Sequence, residues 1–376
     1  MQIRNLFYCA LVIIFSGCIE LFNPQLNDYL EIPVVDGGIT NEPGPYTVKL
    51  SKSSSVYNPE FDPISGAIVI ISDDLNFEEA LVEVKPGVYS TDAAGIRGEV
   101  GRKYRVTVEM DGKIYQSSFE ELLEPVGIDS VYAKTEYKGN QEGMQFYLNT
   151  ETLKDDNRQF LWTLIETYKY EADEYPVDFI YIKPDSIFIP PYEYVEMIRM
   201  CWKTDKVFQI FTGSAKNISQ PGLSNIPLHY VDTKTKKLSQ KYSLFVSQYS
   251  ISDAAYQYWN EIKEQNEKSG SLYTRQPFQI AGNISSIDNA DDIIFGYFTV
   301  AGVSNKRIFV EKPSLFFYYD ECKATHDTYL AWLAQRQPPY PAYIKYVEDG
   351  MGKASLPCFD CRSEGGTTNK PDFWED

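Results

Sequence analysis

From residue 31 to about residue 124 the chain is written in short apolar–polar alternations, each ended by a turn signal. Tyr46-Thr-Val-Lys-Leu50 and Tyr104-Arg-Val-Thr-Val-Glu109 alternate cleanly. Ala67-Ile-Val-Ile-Ile71 is a buried-strand run stopped by Ser72-Asp73-Asp74. Pro86-Gly87 turns residues 81–84 into Val88-Tyr89, and Asp111-Gly112 turns the 104–109 run back through 114–119. A period of two puts one side of each run into a core, and turn dipeptides at this spacing make hairpins. No helical period interrupts them. The pattern predicts a mainly β chain that begins with a small Ig-like β-sandwich over 31–124.

Glu124-Pro125 marks the expected boundary. Beyond it, over 125–376, a larger antiparallel β region is predicted, with strands near 128–132, 145–148, 160–166, 177–182, 194–200, 207–211 and 242–249. The 29 Tyr and 21 Phe suit pleated, half-buried surfaces. One helix stands out. Ser252 is an N-cap, Asp253 sits in the first turn, and the segment runs to about Lys268. Ala255, Tyr258, Trp259 and Ile262 form its apolar stripe, which is expected to cover one face of a sheet. A second short helix is expected over 329–335. The tail from Pro357 to Trp374 is too rich in Gly and Pro for regular structure, yet its Cys, Phe and Trp argue for order.

The first residues give an address. Arg4, the apolar run 6–15 and Ser16-Gly17-Cys18 compose a secretory signal over 1–17. Its run is well short of the ~20 residues that span a bilayer. Phe15-Ser16-Gly17-Cys18 looks like a bacterial lipobox, which implies cleavage before Cys18 and its lipidation. Residues 18–30 would then be a polar tether. Export turns the remaining Cys201, Cys322, Cys358 and Cys361 into candidates for two disulfides. Each tail Cys is expected to bond a distant one, Cys201 or Cys322, pinning the tail; a local Cys358–Cys361 bridge is the alternative.

The formal charge of −18 repels phosphate backbones and excludes a nucleic-acid partner. It leaves the lipid as the membrane attachment, without help from a basic patch. Catalytic signatures are thin. The chain holds two His, His229 and His326, and neither His-Glu-x-x-His nor Gly-x-Ser-x-Gly. Cys358-Phe-Asp-Cys361 lacks the strand-then-helix setting of a redox pair. Asp73-Asp74 and residues 288–292 lack EF-hand spacing and read as turns. The chain is therefore expected to be no enzyme, with no catalytic residue, metal or cofactor.

Several stretches resemble a Bacteroidota family of outer-membrane lipoproteins, the domain of unknown function four-two-four-nine. They are the lipobox at Cys18, Gly38-Ile-Thr-Asn-Glu-Pro-Gly-Pro-Tyr-Thr-Val-Lys-Leu50, Cys201-Trp202, Gly282-Asn283, Gly296-Tyr-Phe298, Arg307-Ile-Phe309 and the Cys-x-x-Cys-Arg-x-x-Gly-Gly-Thr tail. Genes of that family often neighbour TonB-dependent transporters. The resemblance implies a non-catalytic accessory of such a barrel in nutrient uptake, lipid-anchored on the periplasmic or cell-surface side of the outer membrane. The alternatives are a stand-alone surface protein binding a glycan or peptide, and a structural envelope protein. Asp129-Ser130-Val131 and Asp185-Ser186-Ile187 fit the Asp-Ser-apolar O-glycosylation pattern of that lineage, which makes Ser130 and Ser186 candidates.

Overall fold

The computed structural model describes residues 31–53, 61–150, 158–183, 186–216, 222–268, 280–289, 291–324, 340–348 and 350–375. The chain is mainly β, as its alternation predicts. Its centre is one long sheet shared by two sandwiches. The strand order is Met200–Ser214, Gln159–Glu171, Tyr242–Ile251, Phe295–Val310, Pro33–Thr40, Thr47–Lys52, Val88–Ser90, Val82–Lys85.

Alternation decides what each half buries. In the first half, Phe160, Trp162, Leu164, Tyr242, Leu244 and Val246 pack against Phe146, Leu148, Leu228 and Val231. The latter belong to a three-stranded sheet of Ile128–Lys138, Gln141–Thr150 and Leu223–Asp232. In the second half, Val35, Ile39, Val48, Leu50, Phe298 and Val300 pack against Val69, Ile71, Tyr104, Val106 and Val108, from strands Ile68–Asp73 and Lys103–Met110. Phe298 and Val300 serve one core and Ile308 and Val310 the other. All four have even numbers on one strand, so both cores lie on the same face of the shared sheet.

Strand pairings and core contacts cross the expected boundary at Glu124-Pro125. Strand Pro33–Thr40 pairs in parallel with Phe295–Val310, from Val34 opposite Phe295 to Thr40 opposite Ala301. Strand Ile284–Ser286 adds to Lys113–Ser117. Ile284, Ile294, Phe298 and Val300 are part of the N-terminal core. The sandwich built on residues 31–124 is completed by this late segment.

The opposite face of the shared sheet carries the helix Asp253–Lys268. Ala255 is fully buried there, and Tyr258 and Trp259 pack with it against Leu161, Ile251, Tyr297 and Ala301. The Ser252 hydroxyl accepts the Ala255 N–H at 3.1 Å, the bond that starts the helix. Ser252 also donates to the buried Glu120 carboxylate at 3.1 Å, which takes further bonds from Asn283 and Tyr297. Burial raises the pKa of Glu120, and these three donors oppose the rise. One carboxylate thus ties the sandwich, the helix and the returning strand.

Residues 194–200, expected as a strand, instead form most of the helix Tyr192–Arg199. Pro190-Pro191 lead into it, and Val195 and Ile198, three apart, are its buried side. A four-stranded sheet, Ser186–Phe188, Phe179–Lys183, Ala342–Val347 and Gly350–Lys353, packs beside it. The helix expected over 329–335 lies outside the described residues.

The tail is ordered but not irregular throughout: it contains a helical turn, Leu356–Phe359, and a 3-10 turn, Cys361–Glu364. Disulfides join Cys201 to Cys361 and Cys322 to Cys358. Trp202 and Thr367 exchange two backbone hydrogen bonds of 2.8 Å. Trp374 is 5% exposed and meets the rings of Trp202 and Phe309 edge-on. Phe373 covers the Arg307 guanidinium at 3.6 Å.

Candidate functional site

The helix side of the shared sheet is left partly open beside the helix, and a groove of about 560 Å3 forms there. That volume is in the range of small-molecule clefts, about 300–1,000 Å3. Its floor follows from the alternation that built the cores. Val35, Ile39, Val48 and Leu50 point into the sandwich, so Asp36, Gly38, Thr40, Thr47 and Lys49 point out, and Thr299 joins them from the returning strand. Leu161, Thr163 and Tyr249 continue the floor across the sheet, and Trp259 walls it from the helix.

The opposing wall is Lys206 to Ile210, in the sheet's edge strand Met200–Ser214. Its register breaks there. Phe211 faces Trp162 while Val207 faces Leu164, so four residues of the edge strand span what two span on its neighbour. A bulge of this kind re-aims side chains. It leaves Phe208 86% exposed at the rim of the groove, an unusual position for a large aromatic.

The polar groups of the groove are largely uncommitted. Asp36, Lys49, Lys206 and Gln209 make no side-chain hydrogen bond or ion pair with a described residue. The Trp259 indole N–H is buried and has no partner among them either. An unpaired buried donor costs roughly 1–3 kcal/mol, and it asks for an acceptor. Trp162, by contrast, has its N–H satisfied by Gln248 at 2.9 Å and belongs to the core beneath.

A second hollow of about 470 Å3 is lined by Tyr168, Tyr170, Lys203, Lys234, Lys236, Lys237 and others. Its lysines are mostly spoken for. Lys236 pairs with Asp173 at 3.0 Å, Lys237 with the buried Glu166, and Lys203 approaches Asp205 at 3.9 Å. This is a stabilising network.

The residues singled out in the sequence fall elsewhere. Cys18 lies outside the described residues. Cys201, Cys322, Cys358 and Cys361 are the two disulfides, with each tail Cys joined to a distant one. Ser130 is half-buried in strand Ile128–Lys138, where it accepts from Asn149 at 2.9 Å. Ser186 begins the edge strand Ser186–Phe188. Asp73 and Asp74 hold Arg102, each at 2.7 Å, and Asp73 caps its own turn through the N–H groups of Leu75 and Phe77. Asp292 pairs with Lys113 at 2.7 Å. His229 lies 3.5 Å from Glu166, and His326 is outside the described residues. No helix of the described residues is long and apolar enough to cross a membrane. The groove itself was not singled out in the sequence. The sequence features that touch it are Gly38 to Leu50 in the family resemblance, Trp259 in the helix's apolar stripe and the strand expected over 207–211.

Comparison with known proteins adds a family. No curated protein matches the chain. Among solved structures, the Yersinia pseudotuberculosis adhesin InvE is similar at 11% identity, over 86% of this chain and 74% of that one; its TM-score of 0.16 carries no argument. Residues 19–307, which include every residue lining the groove but not the disulfide-bonded tail, match the family described as Domain of unknown function (DUF4249), and the chain belongs to that family.

Proposed function

We propose that this protein is an outer-membrane lipoprotein of a Bacteroidota cell, anchored through Cys18, which binds a nutrient without chemistry and works as the accessory of a TonB-dependent transporter. The observation that carries the binding role is the groove. A bulge presents Phe208 to it, and the Trp259 N–H, Asp36, Lys49, Lys206 and Gln209 have no hydrogen-bond or ion-pair partner among the described residues. Side chains prepared this way, at the junction of several elements, are what a ligand site requires. The lipobox at Cys18 supports the anchor, and the family's frequent neighbourhood with TonB-dependent transporters supports the partner.

The test is isolation of the tagged native protein from outer membranes. A barrel transporter should co-isolate at near-equal amount. Replacing Cys18→Ser should abolish incorporation of labelled palmitate and release the protein from the membrane fraction. A membrane-bound protein that is recovered alone in mild detergent would remove the accessory role. Retention of the Cys18→Ser protein in the outer membrane would remove the lipid anchor.

A further inference from the structure

We infer that the groove beside the helix binds a short oligosaccharide, an inference that names the ligand class and rests on the binding role just proposed. Three observations select that class. The first is the arrangement of rings. Phe208, Tyr249 and Trp259 come from an edge strand, a central strand and the helix to line one space. The apolar C–H faces of a sugar ring fit such flat, electron-rich surfaces. Phe208, exposed as it is, has no core to serve.

The second is the mixture of polar groups. Thr40, Thr47, Thr163 and Thr299 supply hydroxyls, Gln209 an amide, and Asp36, Lys49 and Lys206 charges of both signs. A wholly apolar ligand would strip water from Asp36, Lys49 and Lys206 and return nothing. A hydroxyl both donates and accepts, so a polyol can answer all of them. The N–H of Trp259, a residue that lines the groove, has no partner among the described residues, and a ring or glycosidic oxygen can accept from it.

The third is the state of the floor. An extended peptide is commonly held by a ladder of main-chain bonds. Here the backbone of residues 34–37 is paired on both sides, with Thr47–Lys52 on one and Phe295–Val310 on the other, and residues 38–40 are paired with Phe295–Val310. The floor has little free ladder to offer, so recognition there falls to ring faces and side-chain polar groups.

The test is binding of the full chain, in a zwitterionic detergent, to a panel of gluco-, manno-, galacto- and xylo-configured hexasaccharides. An arrayed peptide library runs in parallel. Saturable binding to at least one saccharide is expected. Phe208→Ala, which removes no core contact, should weaken it tenfold or more. Trp259→Phe, which keeps a ring and loses the N–H, should weaken it severalfold. Phe316→Ala, at an exposed aromatic that does not line the groove, should leave it unchanged. Binding to peptides alone, binding to no saccharide at millimolar concentration, or saccharide binding indifferent to Phe208→Ala would each overturn the inference. Co-isolation of a transporter with no saccharide bound would sink this inference and leave the accessory role standing. Saccharide binding with no transporter would do the reverse.

Discussion

Glu166 is 3% exposed, yet it stays charged. Burial alone would raise its pKa, but His229 and Lys237 more than offset that and hold it at about 2. Tyr242 donates to the same carboxylate at 2.9 Å, and burial pushes that phenol well above its ordinary value. The folded value of Glu166 lies below its ordinary 4.5. Its contribution to stability is therefore complete above that ordinary value and is lost as pH falls toward 2. Glu166→Gln should cost about 3 kcal/mol at pH 7. Urea unfolding of the two proteins should show the gap closing between pH 5 and pH 2; a gap independent of pH would refute the ion-pair account. The inward direction of Glu166 was legible, because it shares parity with Phe160, Trp162 and Leu164 on one strand. Its partner Lys237 was not, since 71 residues separate them and no local pattern links the two.

At the scale of elements, the helix Asp253–Lys268 was readable because its cap, its apolar stripe and its acidic first turn agree. Ser252→Ala should cost about 1 kcal/mol for the cap, and more because Glu120 loses one of its three donors. Thermal unfolding would check it, and an unchanged midpoint would refute the cap. The helix Tyr192–Arg199 misleads a reader because Tyr-Glu-Tyr-Val-Glu-Met alternates like a strand. The proline pair before it and its packing on the Cys358–Phe359 turn decide otherwise. The groove's bulge was equally hidden. A register break at Phe208 depends on which neighbour the strand finds, and residues 207–211 alone read as regular. The tail was legible as a disulfide-held segment through the expected export signal and the Cys count. The Cys201–Cys361 bridge closes a loop with a sequence separation of 160. Removing it by a Cys201→Ser, Cys361→Ser double change should cost about 5 kcal/mol by chain entropy, less any strain relieved. Limited proteolysis should then cut first within residues 361–375. A tail that remains protected would show that Trp374 and the Trp202–Thr367 pairing hold it unaided.

For the whole molecule, the decisive contact is the most remote one. Alternation and turns announce two β regions, and a reader of local pattern places a border at Pro125. The border is crossed because strand Pro33–Thr40 is central to the shared sheet and needs a neighbour on each side. The 47–52 strand, next in sequence, fills one side. The other is filled by residues 295–301, and no nearby strand offers itself. Glycine marks the crossing. At Gly296, with φ of +109°, a Cβ would lie 1.8 Å from the Val35 carbonyl oxygen. At Gly282 it would lie 1.6 Å from the Gly296 carbonyl oxygen. The strands approach as closely as they do because both positions are bare. Pairings of such separation form late and depend on the whole chain. A fragment of residues 31–124 would lack Ile284, Ile294, Phe298 and Val300 from its core and would present Pro33–Thr40 as an open edge. It should fail to unfold cooperatively, and it should aggregate. Adding residues 280–303 to the fragment as a separate peptide should restore dispersed amide resonances. A fragment that folds cooperatively by itself would reinstate the border at Pro125. Gly296→Ala in the full chain asks the same question more gently. It should destabilise both sandwiches together, since one strand serves both, whereas loss confined to the first would mean that the shared sheet does not couple them.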